Sequence, residues 1–311
     1  MNSIAIGVDI GGSHVSCAAC HLTEKKYLAE THSENRLDNQ GTAEEIIAVW
    51  AKTIRETIQK TGSENIAGIG FAMPGPFDYL NGIARFKGNN KKFENIYGLD
   101  VPKALQKALN FPKDFPIRFI NDATAFAIGE DWIGKACGTK NSLSITLGTG
   151  FGSAFLRNHM PVTSGENVPE TGAVWHLPFE DGTADDFFST RGLLNRYQVI
   201  TGEQLPGVKE LAQLAAGSPI VRALFGDFGT KLGIFLKPWI ERSEVETLVI
   251  GGNISHAFNL FGKNTGEYFS NNGVNIKIEV SELRESASII GSSILSDNNY
   301  YQQLKPLLAN M

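Results

Sequence analysis

Two stretches of the sequence share one pattern, far apart in the chain. In the first, Ile4, Ile6, Val8 and Ile10 alternate with Ala5, Gly7 and Asp9. Gly11-Gly12 follows, and Val15, Cys17 and Ala19 then alternate with Ser16, Ala18 and Cys20. Period two on both sides of a glycine pair predicts two strands joined by a tight turn. In the second, Leu143, Ile145 and Leu147 alternate, Gly148-Thr149-Gly150-Phe151-Gly152 supplies the turn, and Ala154, Phe155 and Leu156 resume the apolar run. Two hairpins of one kind, near 9–17 and 145–155, predict two related halves.

Around them strands alternate with helices. Ile46, Ile47, Trp50, Ile54 and Ile58 recur at helical steps between Thr42 and Thr61, and Gly62 ends the helix. The residues predict a strand over 67–72, a helix over 101–109 and a strand over 117–120 that runs into a helix through NDATAFAIGEDWIG. Further on they predict a helix over 219–240 stopped near Pro238, a strand and glycine pair in ETLVIGGNIS, a strand over 276–280 and a helix over 286–295 rich in small residues. Such alternation defines an α/β fold, and 311 residues suffice for about two domains. In open α/β sheets ligands sit beyond the carboxyl ends of the strands.

Composition excludes several functions. A net charge of −5 with no basic stripe argues against nucleic acid as a partner. A nucleotide remains compatible, since backbone N–H groups and a metal ion can neutralise its phosphates. No run of 18 apolar residues predicts a membrane span, and MNSIAIGVDIGG reads as a first strand, lacking the basic start of a signal peptide. Three cysteines do not make a disulfide framework in a chain of this size, so a cytoplasmic location is expected. Cys17 and Cys20 have C-x-x-C spacing. Residues three apart in a strand point to opposite faces, so the pair cannot close on one metal without breaking the strand.

Four motifs bear on chemistry. In DIGGS, Asp9 stands on the strand face opposite Ile6, Val8 and Ile10. Gly11, Gly12 and Ser13 form a turn whose N–H groups can approach a phosphate, and Asp9 can hold a Mg²⁺ that bridges phosphate oxygens. The plain alternative is a hairpin turn with a solvated Asp. LGTGFG repeats the logic with Gly148, Thr149 and Gly150. In FINDATAFA, Asn121-Asp122 lies where a strand meets a helix, so Asp122 is either a helix N-cap or a general base, favoured as an anion by the helix start. Gly251-Gly252 in LVIGGNIS can let a nucleotide lie close to the backbone. His14, His21 and His256 have no partners at ligand spacing.

Together and in this order, the pieces resemble the ROK family (repressor, open reading frame, kinase) of the actin-like/hexokinase superfamily. DIGGSHVSCA resembles its first phosphate motif, GIGFAMPGPFD its G-x-P-G-x-x-D segment, INDATAFA its catalytic Asn-Asp, LGTGFGSAF its second phosphate motif and LVIGGNIS its nucleotide-side glycine pair. The resemblance implies two actin-like (ribonuclease H-like) α/β domains around a central cleft. The first would be a small domain over 1–118, onto which a C-terminal helix over 296–311 packs back, and the second a larger one over 119–295. It implies Mg·ATP-dependent phosphorylation of a hexose or N-acylhexosamine, glucokinase-like, usually at the 6-hydroxyl. Asp122 would be the base, Asn121 a sugar ligand, and Gly75, Asn89 and Asn90 near the sugar. Glu170, in PETG, matches the Glu of the family's E-x-G-H. Dimers are common among relatives, which implies a homodimer.

The chain departs from the family after that Glu. The family's His, which contacts sugar and begins a cysteine-rich zinc motif, is replaced by Ala173. The segment 174–186 holds one His, His176, and no Cys. A structural zinc takes about four N/S ligands, so no zinc site is expected. FFSTRGL resembles the segment after the family's cysteines, which places Asp186 where a sugar-binding Glu usually stands. His176 is a candidate substitute for the missing imidazole. The alternative to a kinase is a non-catalytic, sugar-binding regulator of the same family. Its repressor members carry an N-terminal helix-turn-helix, whereas this chain starts on its first strand, which favours the kinase.

Overall fold

The structure, a computed structural model, describes residues 4–62, 65–88 and 92–311. Its contacts group the chain into two units, one made of the chain up to Ile133 together with Glu285–Met311, the other of Gly134–Arg284.

The first unit is built on a five-stranded sheet. β1 (Ile4–Ile10) and β2 (His14–His21) pair antiparallel around the Gly11-Gly12 turn, and β3 (Lys26–Arg36) continues the meander. α1 (Ala43–Thr61) follows. Thr42 and Glu45 form a capping box at its start, and Gly62 closes it in the left-handed conformation with φ 61°. β4 (Ile66–Met73) then pairs parallel to β1, and a small antiparallel pair, β5 (Phe77–Asp78) and β6 (Ile83–Ala84), precedes α2 (Val101–Leu109). β7 (Ile117–Asn121) pairs parallel to β4 and passes directly into α3 (Asp122–Ile133). The sheet order is β3-β2-β1-β4-β7.

The second unit repeats that order. β8 (Asn141–Leu147) and β9 (Phe151–Arg157) form the second glycine hairpin, with β10 (Met160–Pro161) on its edge. A short antiparallel pair, β11 (Pro178–Phe179) and β12 (Gly182–Thr183), leads into α4 (Ala184–Phe188), α5 (Thr190–Thr201), α6 (Val208–Leu214) and α7 (Pro219–Arg242). β13 (Thr247–Gly251) lies parallel to β8, α8 (Phe258–Asn271) follows, and β14 (Lys277–Val280) lies parallel to β13. The order β10-β9-β8-β13-β14 has the same sequence of antiparallel and parallel neighbours as the first sheet. This is the two-domain actin-like α/β fold.

The chain then returns to the first unit as α9 (Ser286–Ser293) and α10 (Asn298–Leu304). Unit borders thus fall at Ile133/Gly134 and Arg284/Glu285, where the sequence expectation drew them at 118/119 and 295/296. Small residues explain the grouping. A Cβ on Gly129 would lie 2.0 Å from the Ala287 carbonyl oxygen, and one on Gly291 would lie 1.8 Å from that of Ala125. α3 and α9 therefore meet backbone to backbone.

Two elements differ from the sequence reading. Pro238 does not stop α7, which continues to Arg242. Proline removes one N–H from the ladder, and the carbonyl left over belongs to Ile234, a residue 44% exposed on the solvent face of the helix. β3 was not expected at all, because its residues KYLAETHSENR are mostly polar, as befits a sheet edge.

Candidate functional site

In the first unit, β1 and β7 deliver the two acids the sequence singles out. Asp9 occupies the next-to-last position of β1, opposite Ser16 on β2 and beside Ala72 on β4. Asp122 opens α3 directly after β7. Burial pushes the Asp9 carboxyl up to about 7, with further contributions from the neighbouring charges of Asp122 and Glu285. Burial also raises Asp122, opposed by hydrogen bonds from backbone N–H groups and from Asn121. The charge of Asp122 reaches Asp9 and helps to raise it, and like charges gathered at one place suit a cation or a proton in transit.

The helix-capping alternative for Asp122 is met by its neighbour. Asn121 Oδ1 accepts from Thr124 N at 3.2 Å, the geometry of an N-cap side chain. Asn121 Nδ2 donates to Asp122 Oδ1 at 3.0 Å and to the Tyr79 hydroxyl at 3.4 Å, and Ala123 N donates to Asp122 Oδ1 at 2.9 Å. Both ends of the Asn121 amide are thereby engaged, and its donors orient Asp122. The second oxygen of Asp122 is left available for a hydroxyl.

Tyr79 ties this corner to the G-x-P-G segment. Its hydroxyl donates to the Met73 carbonyl at 3.1 Å, burial raises its pKa, and a Cβ on Gly75 would lie 3.5 Å from that same oxygen. The structure thus gathers Gly75, Asn121 and Asp122 around a buried tyrosine that sequence reasoning missed. A Tyr directly after the Asp of that segment, Asp78, was the available signal. Asn89 and Asn90 lie outside the described residues.

The Gly11-Gly12 turn is tied from both sides. Gly11 N donates to His14 O at 3.0 Å, Leu37 N donates to Ser13 O at 2.9 Å, and the Asn39 side-chain amide donates to Gly12 O. Among the described residues, the N–H groups of Gly12 and Ser13 have no protein acceptor. They are donors left over at the end of a strand, as an anion cradle requires.

In the second unit two glycine turns abut. A Cβ on Gly148 would stand 3.9 Å from Asn253 N, just past the Gly251-Gly252 pair, and Gly252 takes φ 78° with its α-carbon pressed on the Leu147 backbone. Only glycine fits there. Gly148, Thr149, Gly150, Gly251 and Gly252 therefore share one surface. Asp185 is the acid that sequence reasoning missed, for its Oδ1 accepts from Phe151 N at 2.7 Å at the base of the turn. Asp186, the residue expected at the sugar, is exposed and completes a capping box with Thr183. Its Oδ1 also accepts from Arg191 at 2.8 Å, and Arg191 bonds Asp185 at 3.3 Å as well. Glu170 is exposed in a short 3₁₀ turn. Val174 N donates to Ser153 Oγ at 2.9 Å, and the His176 ring lies edge-on to Trp175, 5.3 Å between centroids. Among the described residues no group of three or more His, Cys, Asp or Glu is placed to hold a metal ion.

Cys17 and Cys20 both lie buried in β2. Cys17 meets Thr57 of α1 and Cys20 meets Ser293 of α9, on opposite faces of the sheet, and burial raises both thiols, Cys20 to about 12. They are packing residues, not a metal or redox pair.

The chain belongs to the ROK family, whose sequence model matches residues 5–299. Among curated relatives it is similar to a glucokinase from Thermotoga maritima, 30% identical over 163 residues. That match covers 52% of this chain and 47% of the relative, so the chain aligns with under half of that protein's length. It is also similar to a xylose repressor from Caldicellulosiruptor bescii, 23% identical over 94% of this chain and 78% of the relative. The crystal structure of a ROK hexokinase from Thermus thermophilus superposes with a TM-score of 0.77 at 19% identity, over 96% of this chain and 99% of that one. At that identity it shares the fold. No helix among the described residues is long and apolar enough to cross a membrane.

Proposed function

We propose that the protein is an ATP-dependent sugar kinase acting on a hexose or N-acylhexosamine, with the 6-hydroxyl as acceptor. The observation that carries this reading is Asp122, a carboxylate at a strand-to-helix junction, relieved of capping by Asn121 and held by Asn121 and Ala123 with one oxygen free. In that role Asp122 accepts the hydroxyl proton as the oxygen attacks the terminal phosphorus of ATP. Asn121 and Tyr79 keep the carboxylate aimed. The Gly12 and Ser13 N–H groups meet phosphate oxygens, and the Gly148–Gly150 and Gly251-Gly252 turns serve the nucleotide. Asp9 fits a magnesium ion, which commonly takes one or two carboxylates and completes its shell with phosphate oxygens. The acids that raise Asp9 are the condition a cation relieves. When bound, Mg²⁺ would neutralise charge on the transferring phosphoryl group.

Kinetics of Asp122→Asn test the reading. Turnover, measured by ADP release across a hexose and hexosamine panel, is expected to fall on the order of 10²–10⁴-fold with sugar binding retained. Activity within a few-fold of wild type would remove Asp122 as the base.

The similarity to a repressor over 94% of this chain favours a second reading, a sugar-binding regulator without catalysis. Measurable sugar binding by calorimetry, with no ADP release from any sugar in the panel, would select it.

A further inference from the structure

Lys92 is a charged residue of the first unit to which none of the motifs above gives a role. It is exposed, on the segment that leads into the buried Phe93. Its side chain lies along the Gly11-Gly12 turn. A Cβ on Gly12 would stand 3.2 Å from Lys92 Nζ, 3.5 Å from Cε and 3.9 Å from Cδ. The end of the lysine therefore lies against the side of Gly12 from which a side chain would project.

The position is tied by the backbone. Phe93 N donates to the Asn39 carbonyl at 2.8 Å, and the Asn39 side chain in turn donates to Gly12 O. Asn39 thus links the turn to the segment carrying Lys92. Among the described residues, no carboxylate forms an ion pair with Lys92. A lysine held beside two N–H groups with no protein acceptor, and without an acidic partner, is placed to meet an anion. An ammonium group is a compact point charge with three donors, suited to a phosphate that changes shape during transfer.

We infer that Lys92 is a catalytic residue that binds the phosphoryl group in transfer, with the glycine at position 12 letting lysine and phosphate share its surface. This rests on the sugar-kinase reading. In the step, the bond between the sugar oxygen and the terminal phosphorus forms while the bond from that phosphorus to the bridging oxygen of ADP breaks. The hydroxyl proton goes to Asp122. Lys92 keeps its proton throughout and pairs with the non-bridging oxygens, first of the phosphoryl group and then of the sugar phosphate.

The test compares wild type, Lys92→Met and Lys92→Arg in turnover and in protection of the amine. Lys92→Met, at an exposed position, leaves the fold intact. Its kcat is expected to fall about 100-fold, the usual loss for one electrostatic contact to a transition state, while the sugar affinity stays unchanged. Lys92→Arg is expected to recover about tenfold of that loss, since the charge is kept but the guanidinium does not fit the same space. Lys92→Met within threefold of wild-type kcat would overturn the inference. If wild type itself turns over no sugar, the kinase reading fails, and the second arm decides on Lys92 alone. Acetylation of Lys92, followed by peptide mass spectrometry, is expected to slow about tenfold in millimolar inorganic phosphate, against Lys113 as an internal control. Equal labelling of the two lysines with and without phosphate would overturn the proposed phosphate contact whatever the fate of the kinase reading.

Discussion

The two glycine hairpins are alike in the sheet and unlike in what stands behind them. Behind β1 and β4 lies the main chain of α9. A Cβ on Gly7 would sit 1.8 Å from the Ile289 carbonyl oxygen, and one on Gly70 would sit 1.7 Å from that of Ser292. Behind the second hairpin lie rings. Phe151 stands 5.4 Å from Phe188 and 6.0 Å from Phe235, and Phe179, Phe187 and Phe228 extend the cluster. Main-chain docking has no rotamers through which to relax, whereas a cluster of side chains can redistribute volume. The hairpins also take their acids differently. The first draws Asp9 from its own strand. The second has Thr146 at the equivalent place and receives Asp185 from the start of α4. The rigidly backed hairpin lies in the unit that carries Asp122, and on the kinase reading proposed above, proton transfer there would tolerate little displacement.

The largest expected effect breaks the rigid side of this contrast. Gly70→Ala places a methyl group inside the Ser292 carbonyl, which neither partner can avoid without moving a strand or a helix. It is expected to cost on the order of 3 kcal/mol and to lower Tm by roughly 5–10 °C. Phe235→Leu, in the aromatic cluster, is expected to cost about half as much. Hydrogen exchange on the full chain reads the location. β1, β4 and α9 should lose protection in Gly70→Ala, with β8 and β13 unchanged. Equal loss in both sheets, or a smaller effect than Phe235→Leu, would show that the seam relaxes as easily as the rings.

A smaller effect separates the two acids. Burial, with the charges of Asp122 and Glu285 adding to it, pushes native Asp9 up to about 7, against the ordinary value of 3.8 in the unfolded chain. Between those values the native state holds a proton that the unfolded state has released, so the contribution of this group to stability is full below about pH 4 and is lost as pH rises through 7. In metal-free buffer, wild-type Tm relative to Asp9→Asn is expected to fall across pH 5–8, and added Mg²⁺ with ATP should reduce the fall. Parallel Tm profiles for the two proteins would show that Asp9 is not raised.

Much of this arrangement was legible in residues, and the illegible part has physical reasons. Alternation exposed both hairpins, because one buried face writes period two into a strand. Helical spacing between Thr42 and Thr61 and the stop at Gly62 bounded α1 to within a residue. β3 was hidden, since an edge strand with solvent on most of its side chains carries no apolar rhythm. Tyr79, Lys92 and Asp185 were hidden for another reason. Each reaches its partner through tertiary folding, across 42 residues from Tyr79 to Asn121 and 34 from Phe151 to Asp185, and no local spacing records such contacts. The sequence placed Asn121 and Asp122 at a helix start but could not say which would cap it.

Asp185 and Asp186 give the finest form of the comparison, because they are adjacent and share Arg191. Asp186 is exposed, and its carboxylate accepts from Thr183 N at 3.1 Å and from the Thr183 hydroxyl at 2.7 Å. These bonds and Arg191 lower its pKa, with the Thr183 contacts the main cause. One carboxylate oxygen is in use by the cap of its own helix and the other by Arg191 of α5, so a sugar hydroxyl would have to displace one of these partners. Asp186→Ala is expected to lower Tm by about 1–2 °C, as loss of a capping residue does, and to leave the sugar KM within about twofold. Asp185→Ala frees Phe151 N at the base of the second turn, and is expected to raise the KM for ATP by about tenfold. A rise in sugar KM of about tenfold or more in Asp186→Ala would return Asp186 to the sugar and make its capping bonds a resting arrangement that substrate replaces.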